Sequence, residues 1–401
     1  MNTKQIAGAV LALCLMLAGC GETAKPTLFH PEFDTEDPLP AVDAQNKYQS
    51  TFSYVFQEGE TFFCGGSYVD MLLHYYDKES GISGILCGDP SCTHETADCG
   101  ARFAVNGGLS YYDGKLYWTV NGKVKTTLYR SDISGRNREA VKEIDYKEII
   151  LTYQPQQFFI HRGCLYFVGK STVINGADAK ERLTVMATPL EGKETPFVTL
   201  WDDTVEAGGQ NVRFIGNRVY RCLQTFANRE KKEVTVEVYD LKTDSKETIF
   251  QKSGLDWGIG DLWVTEQGEC YLPCSTDSKA AVMKLENGDW TEVLSFSEAY
   301  TGTPRLFGGI AMGSRKDENG IRQTEIRTLD GKTLYEGDLL PQKIPGYDGD
   351  PNRERMTYYG GDAEKLCIGV QNFTEGKGSS LTVLLDLTDG LKPTVLWGTE
   401  R

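Results

Sequence analysis

Asp113-Gly114-Lys115-Leu116-Tyr117-Trp118 reads as a tight turn followed by a strand. The chain restates it at about fifty-residue intervals. The other versions begin at Arg162-Gly163-Cys164-Leu165-Tyr166, Gly216-Asn217-Arg218-Val219-Tyr220, Gln267-Gly268-Glu269-Cys270-Tyr271 and Ala363-Glu364-Lys365-Leu366-Cys367. Around each copy, apolar and aromatic residues fall in short runs bounded by Gly, Asn and Asp. No long segment carries apolar residues at helical spacing, so the pattern is all-β.

The copy at Gly216 shows the full unit. Asn211 to Ile215 is strand a, Gly216-Asn217 a turn, and Arg218 to Thr225 strand b. A charged loop, Asn228 to Lys232, precedes strand c at Val234 to Leu241. Lys242-Thr243-Asp244 turns the chain into strand d, Glu247 to Gln251. Aligning the runs from about Ser50 to Gly398 gives seven such units. The sixth, from Arg305 to Tyr335, is the faintest. Most c–d turns carry Gly or Asp, which tolerate the positive φ of tight hairpins. A four-stranded unit at this period reads as a propeller blade, so the expectation is a seven-bladed β-propeller over 48–401. One blade cannot bury both faces, and neighbours closing into a ring do so.

The strand cores carry a resemblance. Lys115-Leu116-Tyr117-Trp118-Thr119-Val120 resembles the YWTD-type strand of lipoprotein-receptor propellers, with Val120 where that motif has Asp. The whole chain resembles bacterial surface lipoproteins that carry such a propeller, a group with no settled activity. The sialidase box is absent, and Asn287-Gly288-Asp289-Trp290-Thr291 only partly echoes it. Gly65-Gly66, Gly308-Gly309 and Gly360-Gly361 lack the aromatic partners of the kelch repeat.

The first residues read as a processing signal. Lys4 is followed by an apolar run from Ile6 to Leu17, ending in Leu17-Ala18-Gly19-Cys20, the bacterial lipobox. The run is too short to span a bilayer comfortably. The expectation is a signal peptide over 1–19, a diacylglycerol on Cys20, and a flexible tether over 20–47. This places the protein outside the cytoplasm, anchored to a membrane by lipid. The net charge of −15 makes nucleic acid a poor partner. A monomer is expected.

Of the eleven Cys, Cys14 leaves with the signal and Cys20 takes lipid. The dense cluster is Cys87-Gly88-Asp89-Pro90-Ser91-Cys92-Thr93-His94-Glu95-Thr96-Ala97-Asp98-Cys99, placed between the first two units. It looks like a loop that recurs in the resembling lipoproteins. Three thiols and an imidazole make a tetrahedral zinc set, which would be structural because no position stays open. The competing reading is two of the thiols joined as a disulfide, with Cys64 as another partner, or all of them free. Cys270 and Cys274 lie about 13 Å apart on an extended strand, which excludes a bridge between them. Cys164, Cys222 and Cys367 read as packing residues.

No Gly-x-Ser-x-Gly elbow or His-Glu-x-x-His occurs. His161 reads as a turn residue. The a–b and most c–d turns are short, whereas 171–182, 201–210, 228–232, 251–260 and 340–355 read as long b–c or d–a loops. One face is therefore expected to be tight and the other elaborated, and function concentrates in such loops. The d–a loops, nearest the channel mouth, carry Trp201, Asp202, Asp203, Trp257, Tyr300, Tyr347, Asp348, Asp350 and Arg353. Aromatic faces beside carboxylates and an Arg suit a glycan or a short polar peptide. The expected role is a ligand-binding or protein-interaction scaffold. The alternatives are a glycosidase or lyase using loop carboxylates, or a structural subunit of an envelope assembly.

Overall fold

The structure is a computed structural model. It describes residues 26–400 except 45–53, 58–59, 68–69, 97–98, 104–107, 150–156, 176–177, 193–194, 228–230, 256–257, 277–278, 297–301, 319–321, 340–343, 345–353 and 375–376. The lipobox and Cys20 lie outside the described residues. Among the described residues no helix is long and apolar enough to cross a membrane.

The fold is an all-β propeller of four-stranded antiparallel sheets. Seven sheets follow one another in the chain, each with its strands in sequence order, here a to d. The second sheet is Leu109–Tyr112, Lys115–Asn121, Lys125–Asp132 and Glu139–Asp145. The third is Gln157–His161, Cys164–Asn175, Asp178–Pro189 and Val198–Val205, and the fourth is Gly208–Ile215, Arg218–Ala227, Lys231–Asp240 and Ser245–Leu255. In the fifth, strand a is split into Gly258–Ile259 and Trp263–Val264, both paired with Cys270–Ser275. From the second sheet to the seventh, the c–d pairing carries a register shift. Such bulges add the twist a blade needs.

The core lies between sheets. Leu73, Leu86 and Ala101 of the first pack on Leu109, Leu116 and Trp118 of the second. Tyr117 and Leu128 meet Phe158 and Phe167 of the third, and Val185 and Trp201 meet Val212 and Phe214 of the fourth. The last sheet returns to the first where Cys367 and Leu396 pack on Tyr76. Each sheet thus buries both faces, which a single blade cannot do.

Several segments expected as long loops are hairpin strands. In the third sheet strands b and c run to Asn175 and resume at Asp178; in the fourth they run to Ala227 and resume at Lys231. Strand d of the third extends to Val205 and strand a of the fourth begins at Gly208. In the third sheet Lys170 pairs with Glu181 and Arg182 with Asp202 across neighbouring strands, and in the fourth Glu233 accepts from Gln251 and Ser253, so charged residues are accommodated within the pairing.

The expectation of a flexible tether over 20–47 does not hold for residues 26–44. They form a strap against the short-turn face. Leu28 is buried between the third and fourth sheets, and its carbonyl accepts from the Cys164 thiol. The Ala41 and Val42 carbonyls accept from the N–H groups of Asp113 and Arg162, in the a–b turns of the second and third sheets. Arg162, at φ 42° and 2% exposed, holds the strap. Its guanidinium donates to the carbonyls of Phe33, Thr35 and Asp37 and to the Asp43 carboxylate. Beside it, buried His161 accepts the Ala44 N–H at Nδ1 (2.8 Å), while Nε2–H donates to the Gly216 carbonyl (2.8 Å). The strap reads as tether in sequence because it is held largely through its own backbone carbonyls, which leave no apolar period.

Candidate metal centre and binding face

The cysteine loop does not lie between two units. It bulges from within the outer strand of the first sheet. Ile82–Ile85 and Arg102–Phe103 both pair with Asp70–Asp77, one after the other along the same edge. The neck is closed at Leu73, whose N–H donates to the Ala101 carbonyl and whose carbonyl accepts from the Leu86 N–H. Between Leu86 and Ala101 the described residues form only turns and bends. Hydrophobic burial alone gives such a loop little to hold its shape.

Inside it, one ligand atom each from Cys87, Cys92, His94 and Cys99 lies within 4.8 Å of the others, so the group could hold a metal ion. His94 Nδ1 is 3.4 Å from Cys99 Sγ, and the Cys99 and Cys87 sulfurs are 3.9 Å apart. The His94 N–H points at Cys92 Sγ at 3.3 Å. His94 reaches this position with a left-handed backbone, φ 63°. A non-glycine residue held there marks a conformation imposed by its surroundings. Cys87, Cys92 and Cys99 are all unbridged thiols in this structure.

The second sheet grips the loop from outside. Its c–d turn brings Gly135 so close that a Cβ there would lie 2.8 Å from the Leu86 carbonyl. Arg136 Nε donates to the Gly88 carbonyl (3.3 Å), and Arg138 Nη1 to the Cys99 carbonyl (3.5 Å). The Arg138 guanidinium also lies over Trp118 and Tyr129, which stack on each other. The sequence signals the four candidate ligands but not this grip.

Cys87 differs from the buried thiols. Burial opposes ionisation at Cys87, but hydrogen bonds from the Asp89 backbone and from Cys92 and Cys99 bring it below the ordinary thiol value. Burial pushes Cys99 up to about 11. Burial also raises Cys164, Cys222 and Cys270 to about 12, and Cys274 to about 11. These four are packing residues with no nucleophilic character, and Cys270 and Cys274 are unbridged.

The expected ligand residues divide. Trp257, Tyr300, Tyr347, Asp348, Asp350 and Arg353 lie outside the described residues. Trp201, Asp202 and Asp203 are not in a loop; they belong to strand d of the third sheet. Trp201 is 2% exposed and packs edge-on against Tyr239 of the fourth sheet. Asp202 takes a two-point hydrogen bond from Arg182 on the neighbouring strand. Asp203 accepts from Arg221 (2.5 Å), a fully buried guanidinium that also reaches Glu237 and Gln210 and lies over the Trp201 ring. Of the carboxylates that read as a loop, Asp202 ties two strands of the third sheet and Asp203 ties the third sheet to the fourth. Arg162, His161 and Asp43 do not read as a unit in the sequence. The one signal for them is an Arg at a turn position filled in the other copies by Asp113, Gly216, Gln267 and Ala363.

No family model matches the chain, and no curated protein matches it. Solved structures do. A puromycin hydrolase aligns with TM-score 0.55 and 12% identity, over 90% of this chain and 55% of that one. An acylaminoacyl peptidase from Pyrococcus horikoshii aligns with TM-score 0.53 and 9% identity, over 86% and 53%. The propeller domain of the Trilobed protease from Pyrococcus furiosus aligns over 85% of this chain and 97% of that one, with TM-score 0.47 and 10% identity. The chain thus spans a little over half the length of the two hydrolases. At these identities the likeness is one of fold.

Proposed function

We propose that the chain is a lipid-anchored extracytoplasmic propeller of seven blades that binds a glycan or short polar peptide on the face opposite the strap. The observation that carries this reading is the strap itself. Residues 26–44 cover the a–b turns of the second to fourth sheets, so the short-turn face there is filled by the chain's own residues. The long b–c hairpins stand on the other face, with Ile174 75% exposed at one tip. Loops on a rigid scaffold are where recognition concentrates. Of the nine expected ligand residues, Trp257, Tyr300 and Tyr347 remain the aromatic candidates, because Trp201 belongs to the core.

The test is array screening of the mature chain against glycans and short peptides. Trp257→Ala with Tyr347→Ala should abolish binding and leave thermal unfolding unchanged. Undiminished affinity in that double variant, with loss on altering short-turn residues, places the site elsewhere.

The metal in the cysteine loop is proposed to be zinc with a structural role. Tetrahedral zinc holds two thiolates about 3.8 Å apart, and a thiolate and an imidazole nitrogen about 3.6 Å apart. The observed 3.9 and 3.4 Å edges fit that tetrahedron. Three thiolates and one imidazole suit zinc over oxygen-seeking ions. Four protein ligands leave no open position, so the ion would fix the shape of the loop that Arg136 and Arg138 grip rather than act on a substrate. Native mass spectrometry should show one zinc per chain, lost in a Cys92→Ser, Cys99→Ser variant. A metal-free chain of unchanged stability in that variant would overturn this reading.

A further inference from the structure

The strap also bears on how the propeller stands on a lipid surface. We infer that the short-turn face is held towards the bilayer and the long-hairpin face is presented away from it. This rests on the lipid proposed for Cys20.

Two lengths decide the orientation. Leu28 is pinned: it is 5% exposed between the third and fourth sheets, and its carbonyl meets the thiol of Cys164. Cys164 is the first residue of strand b of the third sheet, directly after the short a–b turn. Leu28 therefore marks the short-turn face. From Leu28 back to Cys20 is eight residues of chain, which reach at most about 28 Å when fully extended. Strand b of the third sheet runs from Cys164 to Asn175. Twelve residues of strand span about 40 Å. The leash is therefore shorter than the blade. A lipid on Cys20 cannot pass the rim and enter a bilayer lying against the hairpin tips while Leu28 stays in its pocket.

The pinning is firm. Downstream of Leu28, Arg162 takes the carbonyls of Phe33, Thr35 and Asp37. Lys242, in the c–d turn of the fourth sheet, pairs with Asp34 at 2.6 Å and lies over Phe29. His30 packs on Gly163, where a Cβ would lie 3.0 Å from its ring. The strap also carries Glu32, Asp34, Glu36 and Asp37. Facing anionic lipid, these acids resist adhesion, so the short leash sets the orientation and charge keeps the face from lying flat.

The two ends of one hairpin provide the test. Ile174 is at the b–c tip of the third sheet, and exposed Glu191 follows strand c of the same sheet at its c–d turn. The full lipidated chain, with a click-coupled donor at position 174 or 191, is reconstituted in vesicles bearing an acceptor on the lipid headgroups. Energy transfer from position 191 should exceed that from 174 several-fold. Inserting twenty Gly/Ser residues after Cys20 should shrink the difference. Equal transfer from both positions, or stronger transfer from 174, in vesicle-bound protein would overturn the orientation and leave the lipid anchor standing. Failure of the processed chain to associate with vesicles would overturn the anchor and the orientation with it.

Discussion

Arg162 and Asp43, 119 residues apart in the chain, form a two-point ion pair, with Nε to Oδ1 at 2.5 Å and Nη2 to Oδ2 at 3.2 Å. Both are sheltered, at 2% and 14% side-chain exposure. The same guanidinium takes three strap carbonyls, so one side chain closes the strap onto the propeller. Arg162→Ala would leave a sheltered carboxylate and those carbonyls unpaired. The expected cost is about 3–5 kcal/mol. Arg162→Lys should recover only some of it, because an ammonium cannot reproduce the fork. Chemical denaturation gives the cost, and limited proteolysis within 26–44 should accelerate in both variants.

His161 predicts a pH dependence. Burial depresses its imidazole to about 4, against a neighbouring Asp43 that acts in the opposite sense. The free imidazole titrates near about 6.5. Between these values the unfolded chain binds the extra proton, so stability is full above the upper value and falls as pH drops towards the lower. The contribution is on the order of 3 kcal/mol. His74, depressed to about 4 by burial and then by His94, acts in the same window. Replacing His161 by Gln should flatten the slope of stability against pH between those limits without abolishing it. An unchanged slope would show that His161 does not titrate with unfolding.

Trp201→Ala should act on the fold. The ring is 2% exposed, between Tyr239 and the Arg221 guanidinium. Its loss should cost about 3–5 kcal/mol. A drop in the denaturation midpoint checks this, and an unchanged midpoint would return Trp201 to the surface ligand residues.

Gly308 and Gly288 form a matched pair. Both are left-handed, at φ 56° and 80°. A Cβ on Gly308 would lie 1.9 Å from the Gly361 carbonyl of the next sheet, whereas one on Gly288 meets nothing within 4 Å. Gly288→Ala should cost only the left-handed conformation, about 1–2 kcal/mol. Gly308→Ala must also push the backbones of neighbouring sheets apart and should cost more. Equal midpoints would show that this close approach is not required.

The period of the repeat, its turn residues and the all-β class were legible along the chain. Each depends on short-range chemistry: Gly and Asp at turns and alternating apolar residues in strands. The four candidate ligands of the cysteine loop were legible for the same reason, since they fall within thirteen residues. Tertiary structure alone decided the rest. It set the loop within the outer strand, because pairing of Ile82–Ile85 and Arg102–Phe103 with one partner strand leaves no local mark. It turned Trp201, Asp202 and Asp203 from loop to strand, because Arg182 faces Asp202 only once strands c and d of the third sheet pair, and Arg221 reaches Asp203 only when the third and fourth sheets pack. It folded the strap, because Arg162 recognises carbonyl oxygens, which every residue carries and no sequence displays.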